Sequence, residues 1–157
     1  MEKGWDIVRI TTKVRYGLRA LLQIAVTYDG NPVPLSQIAE SQEISRKYLE
    51  QLVASLRKAD LIGSRKGVRG GYYLVKEPKD ISLWDVFCTL EGRSPLVECI
   101  PHPDTCDRSD FCTTRGIWAL LDGKLQEFWM SFNLQDLIDR LPEIEQEIMA
   151  GRQWPQA

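Results

Sequence analysis

The stretch from Leu61 to Val75 constrains this 157-residue chain more than any other. It reads Leu61-Ile62-Gly63-Ser64-Arg65, then Lys66-Gly67-Val68-Arg69-Gly70-Gly71, then Tyr72-Tyr73-Leu74-Val75. Two short strand-forming runs joined by a glycine-rich basic loop predict a β-hairpin. What precedes it is helical. From Thr12 the apolar residues Val14, Leu18, Leu21, Leu22 and Ala25 form one stripe of an amphipathic helix, which Asp29-Gly30-Asn31-Pro32 stops. Leu35, Ile38 and Ala39 mark a second short helix ending near Gln42. Ser45 is a good N-cap for a third, with Ile44 and Leu49 spaced as a hydrophobic staple and Leu49, Leu52, Val53 and Leu56 as the inner face. Three helices followed by a hairpin predict a winged helix-turn-helix.

Charge is distributed in a way that supports this reading. The chain carries a net −2, yet residues 1 to 76 hold 13 Lys+Arg against 7 Asp+Glu, and residues 77 to 157 hold 7 against 15. Only a surface that faces phosphates has to be positive, so a basic front half in an acidic protein is compatible with nucleic-acid binding. In a winged helix the start of the third helix meets base edges and the wing rests on the flanking backbone. Accordingly Lys47, Tyr48, Glu50 and Gln51 are expected on or near base edges. Arg46, Arg57, Arg65, Lys66 and Arg69 are expected mostly at phosphates, with Gly70, Gly71 and Tyr72 completing the wing surface. For Tyr48 and Tyr72 the competing expectation is packing, and for Glu50 a salt bridge. A nucleotide-binding glycine loop is excluded for Gly67 to Gly71, because a strand and Pro78 follow where a phosphate loop must open a helix.

Beyond Pro78 a helix capped by Ser82 is expected through Leu83, Val86, Phe87 and Leu90 to Gly92. After a polar loop, Ile117, Trp118, Leu121, Leu125, Phe128, Trp129 and Phe132 predict a long helix of some eighteen residues from Thr113. Two tryptophans and two phenylalanines on one stripe exceed what a small domain readily covers, so a two-fold homodimer through this helix is expected, with Trp129 and Phe132 between subunits. Two short helices, Leu134 to Leu141 and Pro142 to Met149, should close the chain. The expected fold is mainly α with a small β-hairpin wing and a long C-terminal dimerisation helix. Its division would be a winged helix-turn-helix over 9–79, a cysteine loop and dimerisation helices over 80–150, and a flexible tail over 151–157. Glu2 and Asp6 stand where a signal peptide would be apolar, and no run approaches membrane-spanning length, so a cytoplasmic protein without a membrane partner is expected.

Four cysteines in a cytosolic chain favour metal or redox chemistry over disulfides. Cys88 lies in an apolar helical run and reads as a buried small hydrophobe. Cys99, Cys106 and Cys112 crowd into fourteen residues with spacing C-x(6)-C-x(5)-C. Soft thiolates suit an iron-sulfur cluster, and zinc or a thiol redox switch competes with it. Structural zinc prefers four closed ligands with narrower gaps. With one histidine, no Ser/His/Asp set and no phosphate loop, an enzyme has little behind it.

The runs Tyr48-Leu49-Glu50-Gln51-Leu52, Leu56 to Ile62, Arg69-Gly70-Gly71-Tyr72-Tyr73-Leu74, Ile81 to Val86 and Leu90-Glu91-Gly92 closely resemble the bacterial winged-helix regulators related to IscR, NsrR and CymR, the Rrf-type family. The likeness runs from about Arg9 to Leu141. The resemblance implies a homodimeric transcription regulator, a repressor in the simplest reading, binding double-stranded operator DNA. In the sensing branch it implies a 2Fe-2S cluster on the three cysteines before the long helix, here Cys99, Cys106 and Cys112. The first gap is one residue longer than in familiar members. Where relatives place a histidine ligand, three residues after the last cysteine, stands Arg115, which cannot ligate and whose replacement is expected to leave a cluster intact. Relatives that use a first-helix carboxylate have it near Arg15, again basic. The fourth ligand stays open among His102, the carboxylates Asp6, Asp104, Asp107 and Asp110, and a small exogenous group. The alternative from another class is a metal- or redox-binding winged-helix protein acting through a protein partner.

Overall fold

Helix α1 (Thr12–Thr27) buries Val14, Gly17, Ala20, Leu21 and Ile24 at the centre of the molecule. Around it a computed structural model, which describes residues 10–93 and 95–150, places the expected hairpin and the remaining helices, with differences in α5 and α6. The tail 151–157, Arg9 and Asp6 lie outside the described residues. Helix α2 (Leu35–Gln42) contributes Ile38 to the core. Helix α3 (Arg46–Lys58) starts where the cap signal places it: Ser45 Oγ accepts from the Tyr48 backbone N–H at 3.4 Å, and the staple pair Ile44 and Leu49 is buried. The fold is mainly helical with one antiparallel hairpin, as expected.

Strands β1 (Ile62–Arg65) and β2 (Gly71–Leu74) pair in the register Ile62 to Leu74 and Arg65 to Gly71. The hairpin is anchored by a contact that the sequence does not advertise. Val33 exchanges two backbone hydrogen bonds with Tyr72, each 2.8 Å, as a short third rung. Pro32 and Pro34 on either side hold Val33 extended and, lacking N–H groups, stop the ladder from growing.

Helix α4 (Leu83–Glu91) is capped by Ser82, whose Oγ accepts from the N–H groups of Trp84 and Asp85 at 3.0 and 3.3 Å. It buries Val86 and Leu90 against α1 in the same core as α3. Helix α5 spans Arg115–Met130, sixteen residues or about 24 Å, so it starts two residues later than expected. Trp129 is partly buried against the core and stacked on Phe87 at 5.3 Å. Phe132 packs beside Phe128, with the Arg140 guanidinium 5.2 Å from its ring.

Helix α6 (Leu134–Met149) is one helix and not two. Pro142 lies inside it. Proline deletes a single helical hydrogen bond and disfavours helical geometry in the residue before it. Here the helix is fixed from its start by Leu134, fully buried, and Ile138, packed on the core. Reciprocal Asn133 and Asp136 contacts cap it: Asn133 N donates to Asp136 Oδ2 at 2.8 Å and Asp136 N to Asn133 Oδ1 at 3.0 Å. A bridge between Ser82 and Asn133 ties this start to α4.

Candidate nucleic-acid interface and cysteine loop

On a helix advancing 100° per residue, the buried side chains Leu49, Leu52, Val53 and Leu56 define the inward face of α3. Lys47, Gln51 and Lys58 project directly away from it, and all three are exposed. Arg46, Glu50 and Arg57 lie on the flank facing the hairpin. With Pro34, Leu35, Ser36, Ser64, Arg65, Lys66, Gly67, Gly70, Gly71 and Tyr72 they line an open cleft of about 680 Å³ between α3, the start of α2 and the wing. Lys58 and the start of α2 are absent from the sequence-based set. Lys58 was recoverable, since it continues the Lys47 and Gln51 stripe.

Four cations border this cleft and one carboxylate offsets them. Arg46 Nε lies 3.3 Å from Glu50 Oε1, an exposed pair worth roughly 0.3–0.5 kcal/mol, so Arg46 is readily re-aimed at a phosphate. The Arg57 guanidinium donates to Ser64 Oγ at 3.3 Å and bridges α3 to β1. Arg69 is exposed at the wing tip beside Val68, which is fully exposed. Tyr48 is placed differently from its helix neighbours. It is half-buried, its ring sits edge-on against Tyr16 at 6.0 Å, and its hydroxyl is 3.4 Å from Thr12 Oγ1. That position joins α3 to α1, a packing role. Tyr72 is likewise half-buried, and its backbone carries the Val33 rung.

The wing glycines have internal reasons for their identity. Only Gly67 among those of the loop has positive φ, at 111°. A Cβ on Gly71 would collide with the Val33 carbonyl and lie 2.8 Å from Pro34 N, so this residue is small because another backbone crosses it. Gly70 closes the loop through its N–H to Gly67 O at 2.9 Å.

Residues 95 to 114 form the cysteine loop, with short 3-10 turns at Pro103–Thr105 and Ser109–Phe111. Cys106 is exposed; Cys99 and Cys112 are half-covered, and no disulfide links any cysteine among the described residues. Hydrogen bonds from the Thr114 hydroxyl and from the N–H groups of Thr114 and Arg115 hold the Cys112 thiol below its usual range. Burial pushes the Cys88 thiol upward in spite of Arg93 nearby. Arg115 reaches back over the loop: its Nε donates to Cys99 O at 3.0 Å and its terminal nitrogen to Ile100 O at 3.3 Å, while its own N–H bonds Cys112 O at 3.3 Å. His102 is exposed, with its carbonyl turned to Thr105.

Two observations bear on whether this loop fits an iron-sulfur cluster. Three thiols on a short, polar, partly exposed loop are a suitable donor set. Ser109, midway between Cys106 and Cys112, is 6% exposed and its hydroxyl has no partner, an orphan polar group that a sulfur ligand nearby would satisfy. Among the described residues, no three His, Cys, Asp or Glu side chains are grouped as a metal site.

Comparison with known proteins fixes the family. Residues 10–140 match the Rrf2 model, described as an iron-dependent transcriptional regulator. The chain belongs to the Rrf2 family. It is 40% identical to the protein rrf2 of Nitratidesulfovibrio vulgaris Hildenborough over 131 residues, 83% of this chain and 87% of that protein. A solved IscR from T. potens superposes with a TM-score of 0.71 at 33% identity, over 96% of this chain and 94% of that one. The global cysteine regulator CymR of B. subtilis follows at 0.69 and 34%, over 83% and 96%. As an Rrf2 member the protein is a DNA-binding transcriptional regulator and not an enzyme. No helix among the described residues is long and apolar enough to cross a membrane.

Proposed function

We propose that this Rrf2 regulator acts in the cytoplasm as a homodimeric repressor, reading operator DNA with α3 and the wing, and that Cys99, Cys106 and Cys112 hold a 2Fe-2S cluster whose presence controls that reading. The observation that carries the DNA face is the cleft where Arg46, Arg57, Arg65 and Lys66 surround a groove between helix and wing. Lys47 and Gln51 supply groups for base edges, Gln being suited to adenine, and Glu50, once released from Arg46, to cytosine. Arg69 and Lys66 meet phosphates beside the site.

Dimerisation is supported by what α5 leaves uncovered. Ile117, Trp118, Leu121 and Phe128 are 60%, 41%, 40% and 56% exposed and recur on one side of the helix. A second copy related by a two-fold axis would bury them and set two reading heads on successive turns of the duplex. Trp129 supports the interface from behind, through Phe87.

The cysteine loop is where a signal would enter. A 2Fe-2S group supplies a centre sensitive to oxidants and to iron supply. The chain's own part is to present three thiolates, keep Cys112 ionisable through Thr114, and join the loop to α5 through Arg115. A second reading is a thiol redox switch without metal, for which the exposed Cys106 and Cys112, whose thiol is held below its usual range by Thr114, are the candidate groups. Spectra of anaerobically purified protein separate the two. Charge-transfer bands with matching iron and sulfide support the cluster, and a colourless protein whose DNA binding responds to oxidant supports the switch.

A further inference from the structure

The first segment of the cysteine loop, residues 96–100, is tied to α5 at two points. Leu96 N donates to Asp122 Oδ1 at 3.0 Å, and Arg115 donates to the carbonyls of Cys99 and Ile100. Arg115 and Asp122 are seven residues apart, two helical turns on one face, or about 10.5 Å. Their partners Leu96 and Cys99–Ile100 lie on either side of a turn, closed by Ile100 N donating to Val97 O at 3.2 Å. The ties are complementary in chemistry: a carboxylate takes a backbone N–H, and a guanidinium fork takes two adjacent carbonyls. Since Arg115 N also bonds Cys112 O, one residue touches both ends of the cysteine loop.

We propose that Arg115 and Asp122 are positioning residues that strap segment 96–100 to α5, setting Cys99 beside Cys112. The inference rests on the reading of the cysteine loop as the sensing site and adds what holds that site in register. Arg115 thereby has a task that ligand chemistry alone does not reveal: it holds the backbone of one ligand from the helix that begins after another. Any rearrangement that pulls Cys99 is transmitted to α5 at two points two turns apart, and α5 carries the uncovered face assigned to the partner subunit. Loop and helix move together.

The strap can be tested on reduced, metal-free protein, independently of any cluster. Amide hydrogen exchange across residues 96–100 and the yield of a Cys99–Cys112 cross-link with a short bifunctional thiol reagent are compared for wild type, R115A, R115K and D122A. Circular dichroism confirms that each variant keeps its helices. R115A should exchange in this segment roughly tenfold faster and lose most of the cross-link, and D122A should deprotect Leu96 chiefly. Lysine keeps the charge without the fork, so R115K should stay nearer to R115A than to wild type. Ligand chemistry alone leads to the expectation that replacing Arg115 leaves a cluster intact; with the strap the expectation is reversed, and after anaerobic reconstitution R115A should retain less than half the iron and sulfide of wild type. Unchanged exchange and cross-linking in R115A, full rescue by lysine, or wild-type iron and sulfide in R115A would each overturn the positioning role. If wild type itself takes up no iron and sulfide while the strap variants behave as described, the cluster reading fails and the strap stands.

Discussion

Replacing Gly71 with Ala should unfasten the wing from the helical body. The added methyl collides with the Val33 carbonyl, which is backbone and cannot swing aside, so β2 must withdraw from Val33. Withdrawal breaks the two 2.8 Å hydrogen bonds between Val33 and Tyr72. Each contributes about 0.5–1.5 kcal/mol net, which puts the loss at roughly 2 kcal/mol. For a protein of this size that is a fall in Tm of about 4–8 °C, read by circular dichroism at fixed protein concentration. Gly67→Ala is the comparison: its Cβ meets nothing within 4 Å, so only the backbone cost of positive φ, about 1–3 kcal/mol, applies and the Val33 hydrogen bonds stay intact. G71A should also weaken binding to duplex DNA of any sequence, since Lys66 and Arg69 lose their placement. A Tm within a degree of wild type for G71A would refute the assignment of Val33 as the wing's anchor.

Arg69→Ala should lower affinity for all duplexes alike and reduce the slope of log K against log salt by about one unit, measured by fluorescence anisotropy. Ser109→Ala should raise the Tm of metal-free protein by about 2–4 °C, because it removes an orphan buried hydroxyl costing roughly 1 kcal/mol; no change or a fall in Tm would mean the hydroxyl has a partner. Trp118→Glu with Leu121→Glu should give monomers by light scattering, whereas a persisting dimer would place the interface off α5. Under alkylation of the metal-free protein, Cys88 should react more slowly than Cys106 and Cys112, since burial raises its thiol; equal rates by peptide mass spectrometry would contradict its placement in α4.

Local signals carried the fold. Ser45 and Ser82 cap the helices they precede, and the basic glycine loop turns the hairpin, because capping and turn chemistry act within a few residues. What stayed hidden depends on contacts between distant segments. Val33, between two prolines, reads as loop, and only the packing of the wing gives it a partner. Pro142 reads as a break, yet the burial of Leu134 and Ile138 carries the helix through it. Trp129 belongs to the expected apolar stripe, and its partner Phe87 could not be assigned from spacing. Arg115 reads as a residue that cannot ligate, which hides its hold on Cys99 sixteen positions earlier.

The central claim is that the cysteine loop controls DNA reading, and one measurement addresses it directly. A duplex selected by the protein from random sequence is titrated anaerobically with cluster-loaded and cluster-free forms of the same preparation, beside a variant with Cys99, Cys106 and Cys112 all replaced by Ala. The account predicts stoichiometric iron and sulfide in the loaded form, none in the variant, and affinities of loaded and cluster-free protein that differ by about five- to 150-fold, the range of a coupling of 1–3 kcal/mol. Iron and sulfide retained by the variant, or equal affinity of the two forms for the duplex, would contradict it.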